Sequence, residues 1–219
     1  MTAPLNLAEA FLLLALQDDG KRSVQGRDLD TGLAGAILSD LVVTRSIDLQ
    51  GKDVVLTPQA AVIPFLAPYI EQIRLEGKNK SAKHWVRAFR SKELRARVEG
   101  SLVQQGLVTS TPGKKFGLFP TTLFPSTHSE IERVVKTRVD AVLTGAEKPD
   151  EWAASLIAVC DATGVLKKAF GPVSKQRIKQ ITEGEWASAA VKKIIAQANA
   201  AVRSAVISTV AANGSNSGN

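Results

Sequence analysis

The chain has few of the side chains from which most active sites are built. Its 219 residues include one cysteine, Cys160, and two histidines, His84 and His128. A single cysteine excludes an intramolecular disulfide, and the apolar residues around it predict a buried thiol in a reducing compartment. These three residues do not lie at metal-ligand spacing, and the sequence contains neither a Walker loop nor a GxGxxG motif. We therefore expect no enzymatic activity, no cofactor and no metal site.

Long apolar runs are also missing from the sequence. No stretch reaches the roughly 18 consecutive apolar residues that predict a membrane-spanning helix. The N-terminus shows no basic region followed by an apolar run and a cleavage site, as a signal peptide would. We therefore expect a cytoplasmic protein whose contact with a bilayer is peripheral.

Aromatic residues are scarce, at 5% of the chain, whereas Leu, Val, Ile and Ala dominate an apolar content of 44%. This balance favours helices over strands. Residues 5–16 are too apolar for a surface and predict a buried helix. Apolar positions recur at helical spacing over residues 31–42, 81–90 and 92–105, and helical patterns cover most of 129–213. The sequence therefore predicts a mainly α protein.

Local signals indicate where some of these helices begin and how one of them packs. Thr31, Ser91 and Ser129 each precede a helical pattern and carry a hydroxyl that can cap a helix N-terminus. Within the second predicted helix, Gly32 and Gly35 have no side chain. They therefore permit close contact between that helix and its neighbours.

Two short β-hairpins are predicted between the helices. The first has strands at 45–49 and 53–57 around Gln50-Gly51-Lys52, and the second has strands at 107–111 and 114–119 around Pro112-Gly113. Each predicted hairpin follows a helix, which is the outline of a winged-helix unit. We therefore expect short β-hairpins in winged-helix-like units within the helical fold.

Positive charge is concentrated at residues 74–115, which we call the basic segment. It carries eleven of the chain's 28 lysines and arginines against three glutamates, a formal charge of +8 when the whole chain is +7. Positions 81–90 within it form an amphipathic helix with Lys83, Arg87 and Arg90 on one side. Such an excess attracts anions, which include a phosphate backbone, anionic lipid headgroups and acidic proteins.

Apolar residues lie beside the end of the basic segment. Phe116, Phe119 and Phe124 follow its last lysines within nine residues. Cations beside insertable aromatic rings favour a lipid surface over duplex DNA, because each basic residue near an anionic membrane contributes about 1 kcal/mol and ring burial adds to it. The same phenylalanines suit a hydrophobic core or an oligomer interface at least as well, so these alternatives stay open at this point.

Four segments occur in an order and spacing that resemble the Golgi phosphoprotein 3 family: LNLAEAFLLLALQDDG, GLAGAILSDLVVTRSIDL, LRARVEGSLVQQGLVT and KKFGLFPTTLFPSTHSE. The resemblance covers nearly all of residues 5–212, and the Ala- and Val-rich sequence is similar to the bacterial members of that family. The resemblance implies a single domain, here residues 1–213, with a central helical bundle and short β-hairpins. The small polar residues 214–219 predict a disordered tail. The resemblance also implies phosphatidylinositol 4-phosphate binding at the cytosolic face of Golgi membranes, protein cargo, and a hairpin that supports self-association and membrane contact.

The resemblance further implies the position of a lipid site. Two arginines that hold the lipid in eukaryotic members match Lys92 and Arg95, and Arg97 nearby is basic as well. A tryptophan and a third arginine of those members fall on Gln25 and Ala34. These two changes remove an inserted ring and a bidentate phosphate contact, which favours general attraction to anionic headgroups over specific recognition of the 4-phosphate.

We therefore predict a non-enzymatic adaptor that docks peripherally on anionic phospholipid headgroups. The predicted phosphate contacts are Lys92, Arg95, Arg97, Arg87, Arg90 and Lys83. The predicted membrane or self-association hairpin carries Phe116, Phe119 and Phe124. Protein cargo and a homo-oligomer formed through the hairpin are further expected partners.

The alternative prediction is a winged-helix protein that binds nucleic acid. A sequence pI near 9.6 and two helix–hairpin units permit it. The second hairpin, however, is rich in phenylalanine rather than in lysine or arginine, which makes it a poor wing for contact with phosphates. Nucleic acid is therefore the less favoured partner.

Overall fold

The computed structural model describes residues 5–24, 26–58, 63–115, 118–127, 129–184 and 189–214, and at 115, 119, 190 and 208–214 it describes the backbone alone. Within these residues the helices are α1 (Leu7–Ala15), α2 (Gly26–Val43), α3 (Ala67–Leu75), α4 (Ala82–Phe89), α5 (Lys92–Gln104), α6 (Glu130–Thr144), α7 (Glu151–Thr163), α8 (Val165–Phe170), α9 (Lys175–Glu183) and α10 (Ala189–Gly214). The strands are β1 (Ile47–Gln50), β2 (Asp53–Leu56), β3 (Lys80–Ser81), β4 (Thr111–Lys115) and β5 (Phe119–Leu123). The mainly α fold with short β-hairpins is confirmed. Of the predicted disordered tail at 214–219, Gly214 instead ends helix α10, and residues 215–219 lie outside the described residues.

Helix α1 is buried along its whole length, as its nearly uniform apolar sequence predicts. It starts with a capping box. The Asn6 Oδ1 accepts the Glu9 N–H at 2.9 Å, and the Glu9 Oε2 accepts the Asn6 N–H at 3.2 Å. Two N–H groups that the helix cannot satisfy internally are bonded in this way, which fixes the start of a helix that has no solvent-exposed face.

Helix α2 lies at the centre of the bundle and packs against α1, α4, α7 and α10. Its two interior glycines allow this close packing. A β-carbon on Gly32 would lie 2.3 Å from Cζ of Phe11 on α1, and one on Gly35 would lie 2.3 Å from Cγ2 of Val202 on α10. Both distances are far inside van der Waals contact, so the expected close helix contacts are confirmed.

The predicted helix starts are correct at two positions and wrong at one. Ser91 and Ser129 cap α5 and α6, and each hydroxyl accepts the backbone N–H three residues later, at 3.0 and 3.2 Å. Helix α2 instead begins at Gly26, so Thr31 lies inside it. The Thr31 hydroxyl donates to the backbone carbonyl of Arg27 at 2.8 Å, and this bond satisfies a hydroxyl within a helix without ending it.

The first predicted hairpin is confirmed. Strands β1 and β2 pair antiparallel, Gln50 stands opposite Asp53, and Gly51 in the turn has a positive φ of 67°. Such a φ favours glycine because a β-carbon would clash with the backbone. Strand β3 pairs with the other edge of β2 and completes a three-stranded sheet in the order β1-β2-β3.

The second hairpin turns at a different place from the predicted one. Pro112 and Gly113 lie within strand β4, opposite Thr122 and Thr121, and the chain reverses between residues 115 and 119. Gly113 is needed for packing rather than for a turn, because its β-carbon would lie 2.5 Å from Cγ of Leu123. A proline is tolerated there because a two-stranded ribbon has only edge strands.

Candidate anion-binding site

A cleft of about 440 Å³ lies between the loop that joins α1 to α2, helix α5, and the hairpin β4–β5. We call it the cationic cleft, because four basic side chains reach it from three separate parts of the chain. It is lined by Gly20, Lys21, Arg22, Val24, Gly26, Arg95, Lys114, Thr121, Thr122 and Leu123.

Arg22 is held in the wall of the cleft by three interactions. Its Nε and Nη2 donate to Oε1 of Glu99 on α5, at 3.1 and 2.5 Å. Its guanidinium also lies over the ring of Phe124, 5.5 Å from the ring centre, at a distance typical of cation–π contacts. The Arg22 side chain is therefore fixed in place and partly neutralised.

Arg95 forms a looser ion pair with Asp30 of α2. Its Nε lies 3.3 Å from Oδ1 of Asp30, and the two side chains are only 17% and 14% exposed. That Oδ1 accepts no hydrogen bond within the described part of the chain. Burial raises the pKa of Asp30, the Glu99 charge raises it further, and the Arg95 charge opposes both. The Arg95 guanidinium lies beside Gly26, where a β-carbon would approach Nη1 to 3.3 Å.

Lys21 and Lys114 form the exposed rim of the cleft. The Nζ of Lys21 lies 2.5 Å from Oδ2 of Asp19, an ion pair with both side chains more than half exposed. Lys114 has no ion-pair partner among the residues that the structure describes. Exposed ammonium groups of this kind are mobile and hydrated, so they can turn toward an anion at little cost.

The two sides of the cleft are joined at Gly20. Its carbonyl accepts the Phe124 N–H at 3.0 Å, and its φ of 79° is a conformation that favours glycine. A β-carbon at this position would lie 2.4 Å from the nitrogen of Pro125. The α1–α2 loop and the end of β5 are thus in direct backbone contact, which fixes the spacing between Lys21 and Arg22 on one wall and the hairpin on the other.

The structure brings only some of the predicted phosphate contacts to this cleft. Arg95 lines it, and Lys92 is exposed one turn earlier on the same side of α5. Arg97 points away, since two residues along a helix correspond to a rotation of about 200°. It lies close enough to Tyr69 of α3 to oppose the rise that burial causes in the pKa of that phenol.

The predicted basic residues of α4 and its C-terminal end are not among the residues that line the cleft. Lys83 and Arg87 are exposed, and Arg90 is half-buried at the C-terminal end of the helix. The pKa of Arg90 is lowered by burial and then by the charges of Arg27 and Arg87, while Asp30 opposes this shift. Arg90 is therefore near enough to Arg27, Arg87 and Asp30 for their charges to affect it.

The other predicted site residues, at the altered family positions and in the second hairpin, do not share one surface among the described residues. Gln25 and Phe116 lie outside the described residues, and the backbone of Phe119 begins strand β5. Ala34 is buried in α2, one turn beyond Asp30. Phe124 is 6% exposed and belongs to the hydrophobic core, whereas Leu118 near the hairpin tip is 79% exposed.

Sequence reasoning did not identify Lys21, Arg22 and Lys114 as site residues. Lys21 and Arg22 lie far from the basic segment, and Arg22 meets Glu99 across 77 positions of sequence. For Lys21 and Arg22 the only local signal was their position directly after the turn glycine Gly20, a pattern that is usual on a solvated surface. Lys114 lies at the end of the basic segment but was not predicted as a phosphate contact.

No helix among the described residues combines the length and the apolar character needed to cross a bilayer. In a comparison with known protein families, the family described as Golgi phosphoprotein 3 (GPP34) matches residues 7–198. The matched region runs from α1 into α10 and contains every residue that lines the cationic cleft.

Proposed function

Because the chain belongs to the Golgi phosphoprotein 3 family, we propose that it is a peripheral membrane protein that binds anionic phospholipid headgroups in the cationic cleft. The observation that carries this proposal is the convergence of Lys21, Arg22, Arg95 and Lys114 on one cavity. Its volume of about 440 Å³ falls in the range of small-molecule sites.

The charge balance of the cleft favours an anionic ligand. Asp30 and Glu99 offset two of its four positive charges, and Asp19 offsets Lys21 at the solvent-exposed rim. A positive excess therefore remains. Because Arg95 faces Asp30 with its Nε, its two Nη groups are available to donate to phosphate oxygens in the planar geometry that a guanidinium offers.

The surroundings of the cleft suit contact with a membrane surface. Lys114 belongs to the same hairpin as Leu118, whose side chain is 79% exposed. An apolar side chain beside cations combines burial in the headgroup region with attraction to anionic lipid. We extend the proposal to Phe116 and Phe119 as membrane or self-association contacts.

Phosphatidylinositol 4-phosphate is the lipid that family membership favours. The small residue Ala34 and the amide Gln25 stand where eukaryotic members carry an arginine and a tryptophan, so our proposal is general binding of anionic headgroups with this lipid among them. In this proposal the protein acts as a non-enzymatic adaptor on the cytosolic face of a membrane, and cargo protein is its second partner.

Co-sedimentation with vesicles tests the proposal. The parent should pellet with phosphatidylcholine vesicles that contain phosphatidylinositol 4-phosphate or phosphatidylserine, and not with phosphatidylcholine alone. The double variant Lys21→Glu/Lys114→Glu should bind anionic vesicles at least about tenfold more weakly, since each cation near the membrane contributes about 1 kcal/mol. The matched control Lys175→Glu/Lys193→Glu changes the net charge equally at exposed positions of α9 and α10.

Equal loss of binding in both double variants would show that net charge, and not the cleft, is responsible for vesicle binding.

Binding to duplex DNA tests the alternative function. A nucleic-acid-binding protein should bind it with a steep dependence on salt, and anionic vesicles should not compete. Tight, salt-sensitive DNA binding without vesicle binding would replace the proposed function.

A further inference from the structure

The cationic cleft has an apolar part that the proposed phosphate contacts leave unused. Among its lining residues Val24 and Leu123 are apolar, and both side chains are partly exposed. Val24 lies two residues after Arg22 in the α1–α2 loop, and Leu123 is the last residue of β5. The two apolar residues therefore belong to two different walls of the cleft.

The position of Leu123 is fixed by its neighbours in the hairpin. Leu123 pairs with Thr111, and a β-carbon on Gly113 would lie 2.5 Å from its Cγ, so the leucine side chain covers the glycine. The next residue, Phe124, donates its N–H to the carbonyl of Gly20 at 3.0 Å. Leu123 itself lies outside the hydrophobic core that the described residues form. Packing in that core therefore does not explain a leucine at this position.

Val24 is fixed in the other wall of the cleft. The N–H of Ser23 donates to the carbonyl of Ala15 in α1 at 2.8 Å, and Arg22 is held by Glu99. Val24 packs against the hydrophobic core and also lines the cleft. Because both apolar side chains are already ordered, hydrocarbon of a ligand that covers them gains the hydrophobic effect without a further loss of side-chain entropy.

The size of the cleft also exceeds what a phosphate group requires. The cleft measures about 440 Å³. A bare phosphate group is the size of a few water molecules, at roughly 30 Å³ each, so it fills only a part of this space. Small-molecule sites commonly combine a few polar groups that orient the ligand with apolar surface that covers the rest of it. The cationic cleft contains both kinds of lining.

We propose that Val24 and Leu123 form an apolar subsite of the cationic cleft, which binds the hydrocarbon part of an anionic amphiphile next to its phosphate. This inference rests on the proposed function for the phosphate, which the cations of the cleft bind. The ligand class is a phosphate ester of an alcohol that carries an acyl chain, and not a phosphorylated headgroup alone. It is either a lipid of a membrane or a soluble amphiphile.

Titration of the ¹⁵N-labelled full chain, followed by NMR, tests the subsite. The probes are dihexanoyl phosphatidic acid, at concentrations at which it forms no micelles, and glycerol 3-phosphate, which is the same phosphate ester without acyl chains. For the parent we expect about tenfold tighter binding of the acylated probe, because burial of about two methylene groups corresponds to this factor. The acylated probe should also shift the amide resonances of Val24 and Leu123 more. Dihexanoyl phosphatidylcholine should bind more weakly than the phosphatidic acid, because it has the same chains but no net charge.

The double variant Val24→Thr/Leu123→Thr should lose the preference for the acylated probe, because a hydroxyl replaces apolar surface at both positions. Its cations are unchanged, so it should bind glycerol 3-phosphate within about threefold of the parent. Leu123→Thr alone, which alters no core residue, should lower the preference to about threefold and serves if the double variant does not fold. The matched control Val134→Thr/Ile207→Thr alters exposed apolar side chains of α6 and α10, and it should keep the preference.

A parent that binds both probes equally, or a double variant that keeps the preference, would overturn the subsite and leave the proposed function standing. Loss of the preference in Leu118→Thr would also overturn the subsite, because the hydrocarbon would then bind near the hairpin tip. A parent that binds neither the probes nor anionic vesicles would overturn both proposals. Displacement of the parent from anionic vesicles by the phosphatidic acid would assign the subsite to a membrane lipid. Binding of the phosphatidic acid without displacement would assign it to a soluble amphiphile.

Discussion

Asp40 is a residue of α2 whose side chain bonds to the first turn of α1. Its carboxylate accepts the Leu7 N–H at 2.8 Å and the Ala8 N–H at 3.3 Å. It is fully buried, and burial raises its pKa to about 7, although the two backbone hydrogen bonds oppose the shift. The nearby charge of Glu9 raises it further. The two central helices are thus joined by an acid that holds its proton up to about pH 7.

Replacing Asp40 by asparagine should remove a pH dependence of stability. The folded protein keeps a proton on this group up to about pH 7, whereas the unfolded chain releases it near the ordinary pKa of 3.8. The free energy of unfolding therefore falls as pH rises between these values, by up to about 1.4 kcal/mol per pH unit. Denaturant unfolding of Asp40→Asn over the same pH interval should lack this slope.

Asp19→Asn is a control, because Asp19 affects the pH dependence of stability in the opposite direction from Asp40. Hydrogen bonds from Lys21 lower the pKa of this exposed carboxyl, so it contributes stability at higher pH that is lost on acidification. If the parent and Asp40→Asn lose stability in parallel as pH rises, another group is titrating.

Replacing Asp30 by asparagine should strengthen anion binding to the cleft. Asp30 offers Arg95 a carboxylate at 3.3 Å and competes with a ligand phosphate for it. Removal of this charge should tighten binding by about three- to tenfold.

The parent should also bind anions more strongly as pH falls. Burial raises the pKa of Asp30, and a bound anion raises it further, so acidification neutralises this competing carboxylate. Vesicle co-sedimentation over a pH series measures both effects.

Asp30→Asn should show a flatter pH profile than the parent. Weaker binding by this variant would instead mean that Asp30 orients Arg95 for the ligand. Glu99→Gln is a useful comparison. The Glu99 carboxylate accepts two hydrogen bonds from Arg22, so its replacement should release the Arg22 side chain from the wall of the cleft.

At the scale of elements, the packing of α2 against α10 depends on a missing side chain. Gly35→Ala would place a methyl group 2.3 Å from Cγ2 of Val202, so it should destabilise the protein by about 1–3 kcal/mol in denaturant unfolding. Gly100→Ala on the exposed face of α5 meets nothing within 4 Å and should stabilise by about 0.5–1 kcal/mol.

The double variant Gly35→Ala/Val202→Ala tests whether the clash with Val202 causes the loss of stability in Gly35→Ala. Truncation of Val202 removes the atom that the new methyl group would meet, so the two substitutions together should cost less than the sum of their separate effects. Additive losses would place the cause elsewhere in the packing of α2.

Elements that depend on local chemistry were predictable from the sequence. Ser91 and Ser129 begin helices because a hydroxyl at that position bonds an N–H group three residues away, and Gly51 forms a turn through its own φ. The turn predicted at Pro112-Gly113 was wrong for a non-local reason. Gly113 accommodates Leu123 from the opposite strand, and the sequence of β4 alone does not show that contact.

For the whole molecule, composition predicted the fold class but not the site. Arg95 and Arg97 were predicted together as phosphate contacts, yet Arg97 lies on the other side of α5 from Arg95. Arg74 of the basic segment pairs with Glu71 of its own helix. The cleft forms only when the α1–α2 loop, α5 and the second hairpin are brought together in three dimensions. The net charge of a sequence segment does not reveal that distant side chains lie close together in the folded protein, because it describes only neighbours along the chain.

The backbone contact at Gly20 has a consequence for the range of ligands that proteins of this fold can accept. A methyl group at this position would collide with the nitrogen of Pro125, so the loop would have to move away from the strand that ends beside it. The distance between the two walls of the pocket would then change. Substitution at this one position is therefore a direct route by which relatives could diverge in the bulk of the molecule they admit, with every charged side chain unchanged.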